Sequence, residues 1–154
     1  VSGALFLCVD IVYDRMHTRE IAAYGGLVNR MPLYALVFMV FTMANVGLPG
    51  TSGFVGEFMV ILASVRVNFW LGATAATIMI VGAAYTLWMY KRVIYGAIAN
   101  EQVAKLADLS RREFWLLAVL AALVLGMGVY PKPFTDVMHA SVEHLLQQVS
   151  VSKL

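Results

Sequence analysis

The sequence predicts an all-α fold: a polytopic membrane helical bundle in which one transmembrane helix is broken. Three observations carry that expectation. Hydrophobic residues make up 61% of the 154-residue chain and charged residues only 13%, whereas about a quarter of the residues of a soluble domain are charged. The long apolar stretches are bounded by basic residues, and none alternates strongly enough to argue for a strand. One of these stretches is too long for a single straight span and is interrupted by Gly47, Leu48, Pro49, Gly50, Thr51, Ser52 and Gly53.

Residues 1–13 form a short apolar run, from Val1 through Leu5, Phe6, Leu7, Cys8 and Val9. It falls well short of the roughly 20 residues needed to cross a hydrocarbon core and lacks the basic start of a signal peptide. The expectation is the end of a truncated helix, with the whole of residues 1–154 the C-terminal part of a larger membrane domain. Cys8, the single cysteine, offers neither a disulfide nor a zinc site and reads as a small buried apolar residue.

Residues 31–66 read as the broken helix. Pro49 lacks an amide donor and disfavours helix at Leu48, while Gly47, Gly50 and Gly53 permit backbone angles that other residues resist. Thr51 or Ser52 is placed to cap the second half. A break at membrane depth is tolerated only where protein or a hydrated cavity satisfies the freed backbone groups. The alternative is a helical hairpin with its loop outside the bilayer, but the interruption carries no charge and no anchoring aromatic. Residues 69–91 form the clearest span, uncharged from Phe69 to Tyr90 and closed by Lys91 and Arg92. Residues 113–130 form another, ended by Pro131. The tail, 134–154, places Val137, Met138, Val142, Leu145, Leu146 and Val149 at roughly helical spacing among polar residues, which predicts an amphipathic helix at the outer surface.

The basic residues orient the chain. Arg15, Arg19 and Arg30 precede the broken helix, and Lys91, Arg92, Lys105, Arg111 and Arg112 precede the last span, eight of the eleven in all. If the break lies within one crossing, both segments share a side, which the positive-inside rule assigns to the cytoplasm. Arg66, Lys132 and Lys153 remain for the other side. The hairpin would separate the two basic segments, so the charge distribution favours one crossing. A net charge of +2, balanced and scattered, excludes a nucleic-acid surface.

Glu57 is the leading candidate for chemistry. It lies a few residues past the break among apolar side chains, with Arg30 and Arg66 the nearest basic residues in sequence. A charge at the bilayer centre costs on the order of 3 kcal/mol on insertion scales, so such an acid faces a partner or a hydrated cavity. An acid held between burial, which favours its neutral form, and a nearby cation, which favours its charged form, exchanges a proton when the cation moves. The bland alternative is an acid that pins helices together. Gly53 and Gly56 could let a neighbouring helix approach, as small residues do in ordinary membrane packing.

Asp10 reads as an acid at the membrane boundary, one turn from Asp14, and His17 as an interfacial residue. His139 and His144 stand five apart, not one helical turn, and no cysteine or acidic cluster completes a metal site. Phe69, Trp70, Trp88, Tyr90, Trp115 and Tyr130 lie at span ends and read as an aromatic belt. Thr42 and Asn45 are hydrogen-bonding groups in the first half-helix. No phosphate loop follows a strand, and no nucleophile, base and acid stand together, so soluble enzyme chemistry is absent.

These motifs carry a resemblance. Tyr13-Asp-Arg-Met-His-Thr-Arg-Glu-Ile, Tyr24-Gly-Gly-Leu, Ala44-Asn-Val-Gly-Leu-Pro-Gly-Thr-Ser-Gly-Phe-Val-Gly-Glu-Phe, Tyr85-Thr-Leu-Trp-Met-Tyr-Lys-Arg-Val-Ile-Tyr-Gly and Met127-Gly-Val-Tyr-Pro resemble the chain M (ND4-type) proton-translocating membrane subunits of respiratory NADH-quinone oxidoreductase, complex I. The resemblance covers nearly the whole chain. It implies an antiporter-like bundle with a broken helix near its C-terminus, and it gives Glu57 the role of a proton relay, with lysines and a further glutamate in upstream helices. Related antiporter-like subunits tend to carry lysine at that place, so glutamate favours chain M. Asp10 departs from the pattern, where a small residue is usual.

What the resemblance implies about function is proton transport coupled to electron transfer from NADH to ubiquinone or another quinone. The chain itself would hold no cofactor; NADH, FMN, iron–sulfur clusters and quinone would belong to partner subunits. Neighbouring membrane subunits, the lipid bilayer and protons are the expected partners. A bacterial inner (plasma) membrane is the expected location, with the mitochondrial inner membrane as the alternative. The competing functions are a subunit of a multisubunit cation/proton antiporter or membrane-bound hydrogenase, and a passive structural segment.

Overall fold

The computed structural model describes residues 1–98 and 100–151, and among them every regular element is helical. In chain order these are α1 (Ser2–Met16), two short 3-10 turns at Ile21–Ala23 and Leu27–Asn29, α2 (Pro32–Val46), α3 (Ser52–Val67), α4 (Phe69–Ile94), the single turn α5 (Glu101–Ala104), α6 (Arg111–Val129) and α7 (Lys132–Val151). Lys153, placed by the sequence on the side opposite the basic connections, lies outside the described residues, as does the end of the tail at Leu154.

The core sits at one end of the bundle. Cys8, Leu27, Met31, Tyr34, Phe41, Ile94, Val103 and Leu117 are buried where α1, α2, the end of α4 and the connections around them meet. Burial of Ile94 explains why α4 continues beyond Lys91 and Arg92: its last turn packs into this core. α6 begins at Arg111 because Ser110 and Glu113 form a reciprocal capping box. α1 runs on to Met16, also a core residue, and ends at His17 in the left-handed region.

Elsewhere the helices turn apolar side chains outward. Val67, Ile78 and Ile80 are each at least 70% exposed, and only 11% of the most apolar window of α4 or of α6 is buried within the chain. A soluble protein does not leave two such surfaces bare. α4, at 26 residues, reaches about 39 Å at 1.5 Å per residue, enough to cross a hydrocarbon core of about 30 Å with some tilt.

α2 and α3, with 15 and 16 residues, reach only about 22 and 24 Å. They pack one after the other along the same long helix. Tyr90 of α4 donates a hydrogen bond from its hydroxyl to the Ala35 carbonyl at 2.8 Å and stacks near Phe38. Further along α4, Met79 lies at the break and Gly72 against Val65 of α3. The connections before α2 and after α4 meet at the opposite end of that path: Gly26 and Asn29 donate to the carbonyls of Tyr95 and Gly96, and Asn100 donates to that of Ala23. The two basic segments therefore share one end of the bundle, here called the basic end.

Three side chains depart from the sequence reading. Tyr90, expected in an aromatic belt, is buried at 3% exposure, because its hydroxyl has the Ala35 carbonyl to bond; Phe69, Trp70, Trp88, Trp115 and Tyr130 are exposed. Thr51 stands at the N-cap position of α3, yet its hydroxyl turns back to the Leu48 carbonyl at 2.7 Å and leaves the helix amides without a side-chain cap. Asp108, which the sequence did not single out, caps α2 from a distant loop: its two carboxylate oxygens accept from the amides of Leu33 and Tyr34 at 2.9 and 3.1 Å.

Candidate functional site

The site is built on the interruption itself. α2 closes on Gly47 in the left-handed region, with φ +82°, its amide donating to the Ala44 carbonyl and that of Leu48 to Met43. This is the paired closure that a C-terminal glycine permits. Leu48, Pro49, Gly50 and Thr51 then form a tight turn, with Gly50 at φ +93° and the Thr51 amide on the Leu48 carbonyl at 3.1 Å. Proline followed by a positive-φ glycine is the signature of a type II turn. The chain thus changes course with most of its exposed amides paired.

Neighbouring helices brace this turn. Gly128 of α6 lies directly on the Gly50 carbonyl and the Thr51 backbone, leaving no room for a side chain. Gly53, expected to allow close approach, does so against the Ala44 carbonyl at the end of α2; Gly56 meets nothing within 4 Å and faces open space.

Glu57, on α3, is half-buried and returns its carboxyl to the interruption. A Cβ placed on Gly47 would stand 2.7 Å from Glu57 Oε2 and 3.0 Å from Met79 Cε. Glu57 lines two clefts. One, of about 380 Å³, is bordered also by Asn45, Thr77, Met79, Gly82 and Tyr85. The other, of about 470 Å³, runs along α3 past Ser52, Gly56, Ile61 and Ala75. Among the described residues no basic side chain forms an ion pair with Glu57.

The remaining candidates fall elsewhere. Asp10 is exposed on α1 and borders a cavity of about 390 Å³ with Arg19, away from Glu57. Thr42 is buried and donates to the Phe38 carbonyl. His139 pairs with Glu143 at 3.4 Å on the exposed α7, and no cluster able to hold a metal ion occurs among the described residues. At the basic end, Arg15 spans from α1 to Glu113 of α6 at 2.8 Å. In the connection beside them Tyr24 donates to the Thr18 carbonyl, and burial raises its pKa above the usual tyrosine value, so it stays a neutral donor.

Sequence reasoning missed Met79, Gly128 and Thr86. The first two touch the break only through long-range packing, which no local pattern signals. Thr86, an ordinary helical threonine in sequence, lines a cavity next to that of Glu57.

Exposed apolar helices, with an interrupted helix pair packed along a continuous one, define a polytopic helical membrane protein, and a lone acid stands at the interruption. The chain belongs to the NADH:quinone oxidoreductase/Mrp antiporter transmembrane family, whose model matches residues 1–84. It is 58% identical over 147 residues, 96% of its length, to NADH-quinone oxidoreductase subunit M of Rhodobacter capsulatus, of which it covers 29%. To NADH-ubiquinone oxidoreductase chain 4 of Chondrus crispus it is 47% identical over 97% of its length, covering 30% of that protein. Subunit M of Rickettsia prowazekii is 42% identical over 95% of this chain, again with 30% covered. The chain thus spans about 30% of the length of these relatives.

Proposed function

We propose that the intact protein is a proton-translocating membrane subunit of an NADH-quinone oxidoreductase and that Glu57 is a relay acid on its proton path. The observation that carries the proposal is the Glu57 carboxyl, lodged at the interruption on a residue that lines two clefts. An acid so placed has water-sized space beside it in which to receive and release a proton. Met79, beside the break, stands twelve residues from Lys91, about 18 Å of helix. That distance supports a break well inside a hydrocarbon core of about 30 Å.

This chain's residues supply the proton step alone. NADH oxidation and quinone reduction would take place on FMN, iron–sulfur clusters and quinone held by partner subunits. The relatives' names support that division, being those of a subunit M and a chain 4. The 58% identity to a bacterial relative supports a bacterial plasma membrane, with the basic end toward the cytoplasm.

The test is Glu57→Gln in the full-length chain, assayed in membrane vesicles energised with NADH. Glutamine keeps the size and hydrogen-bonding reach but cannot carry the proton. Proton pumping is expected to fall by about a hundredfold, the low end of the range general acid–base groups contribute, with the complex fully assembled. Unimpaired pumping in an assembled variant removes the relay role and leaves Glu57 a structural acid. The family description also names the Mrp antiporter, and cation-dependent proton exchange without NADH would favour that second reading.

A further inference from the structure

We propose that the groove between α1 and α4 binds a membrane phospholipid, with one acyl chain lying along it and the phosphate seated on Arg19. This site is separate from Glu57 and stands whether or not that acid relays protons.

α1 and α4 both pack on α2, and two apolar clefts lie between them. The one nearer the basic end, of about 230 Å³, has Arg19 and Tyr24 at its mouth and Tyr34, Phe38, Met89 and Val93 along it. The other, of about 280 Å³, continues past Leu5 and Phe6 to Asn45 and Tyr85. Both are lined by Val9, Phe38 and Met89, so they are consecutive lengths of one groove open to the outside. Polar atoms along its walls are engaged within the chain: the Tyr34 hydroxyl donates to the Cys8 carbonyl and that of Tyr24 to the Thr18 carbonyl. Between Arg19 and Asn45 the groove therefore presents carbon to its surroundings.

From Val93 to Tyr85 the groove follows eight residues of α4, about 12 Å at 1.5 Å per residue. One leaflet of a hydrocarbon core of about 30 Å is about 15 Å deep, so the groove matches an acyl chain, whereas a spanning helix needs a track about twice as long. Asn45 ends it with a polar amide, where a hydrocarbon chain stops. At the other end Arg19 is exposed, its guanidinium 4.8 Å from the centre of the Tyr13 ring, and it forms no ion pair among the described residues. Stacking on Tyr13 leaves free the guanidinium edge, which is the part that grips phosphate oxygens. A tail already in lipid gains little by entering an apolar groove, so Arg19 supplies the selectivity. Asp10, which lines the adjoining cleft with Arg19, opposes an anionic head group.

The test uses the full-length chain in its purified complex, placed in phosphatidylcholine vesicles doped with phosphatidylglycerol that carries a photoactivatable group at the tip of one acyl chain. Crosslinks are expected on the peptides holding Leu5, Asn45 and Met89. Arg19→Gln is expected to lower them about fivefold, the equivalent of one basic residue's attraction to an anionic lipid. Asp10→Asn is expected to raise them about twofold, as removal of a screened like charge should. Val9→Trp, at a side chain 44% exposed on the groove wall, fills the groove without changing charge and should abolish them; it decides the matter if Arg19→Gln fails to assemble. Crosslinks that survive Val9→Trp, or that Arg19→Gln leaves unchanged, overturn the lipid site. Their absence from the unmodified complex means that a helix of the full-length chain or of a neighbouring subunit covers the groove, and overturns it too.

Discussion

Gly47→Ala separates backbone strain from disturbance of the acid, because a second glycine provides the control. Gly47 and Gly50 both sit at positive φ, +82° and +93°. A residue with a Cβ pays about 1–2 kcal/mol to enter the left-handed region, so each alanine variant should lose that much stability. Only at Gly47 does the new methyl meet the site. It would stand 2.7 Å from Glu57 Oε2 and 3.0 Å from Met79 Cε, where ordinary contact begins at 3.4 Å. The carboxyl oxygen must retreat by about 0.7 Å, whereas at Gly50 nothing lies within 4 Å. Misplacement of a reacting group by about 1 Å can cost up to a hundredfold in rate, so about tenfold slower pumping is expected for Gly47→Ala. The assay pairs thermal denaturation of the solubilised protein with pumping in vesicles. Both variants should melt earlier by similar amounts, and only Gly47→Ala should pump slowly. Equal pumping by the two variants refutes the claim that contact between Gly47 and Glu57 positions the carboxyl.

Two further outcomes test the packing around the site. Gly128→Ala would drive a methyl into the Gly50 carbonyl and the Thr51 backbone, neither of which can swing aside. A cost of about 1–3 kcal/mol should lower the amount of assembled protein in membranes, while Gly126→Ala, two residues earlier and facing open space, should leave it unchanged or raise it. Asp108→Ala removes both acceptors from the first turn of α2 and should destabilise by about 0.5–2 kcal/mol. Limited proteolysis before α2 is the measurement, and Asp108→Asn, which keeps one carbonyl oxygen, should be cut more slowly than the alanine variant.

The legible parts of the fold were those set by local rules. Apolar length and basic boundaries mark α4 and α6, and the Gly47, Pro49 and Gly50 run announces a turn whose backbone angles only such residues adopt without strain. Glu57 stood out because its charge conflicts with its apolar neighbours, a signal present in one dimension. The illegible parts depend on residues far apart in sequence. Asp108 looks like any loop acid until folding brings it to Leu33, seventy-five residues away. Tyr90 shares the sequence setting of a belt aromatic, and only the arrival of the Ala35 carbonyl turns it inward. Thr86 has no distinguishing neighbour at all, and only the folded chain shows its hydroxyl buried without a partner among the described residues.

The interruption is a rigid feature rather than a loose joint. Its amides at Gly47, Leu48 and Thr51 are all bonded, its turn is pressed by Gly128 from α6, and the uninterrupted α4 runs alongside both halves with Met79 at the seam. Moving α2 against α3 would strain the turn closed by the Thr51 amide on the Leu48 carbonyl and open packing on two sides at once, a cost that close-packed interiors resist. On the proposed reading, proton transfer at Glu57 therefore proceeds through reorientation of its own side chain and of water in the adjoining cavities, with the helices standing still. That places the demand for mobility on the few atoms beside the break, which is why a single methyl on Gly47 should matter more than the same methyl on Gly50.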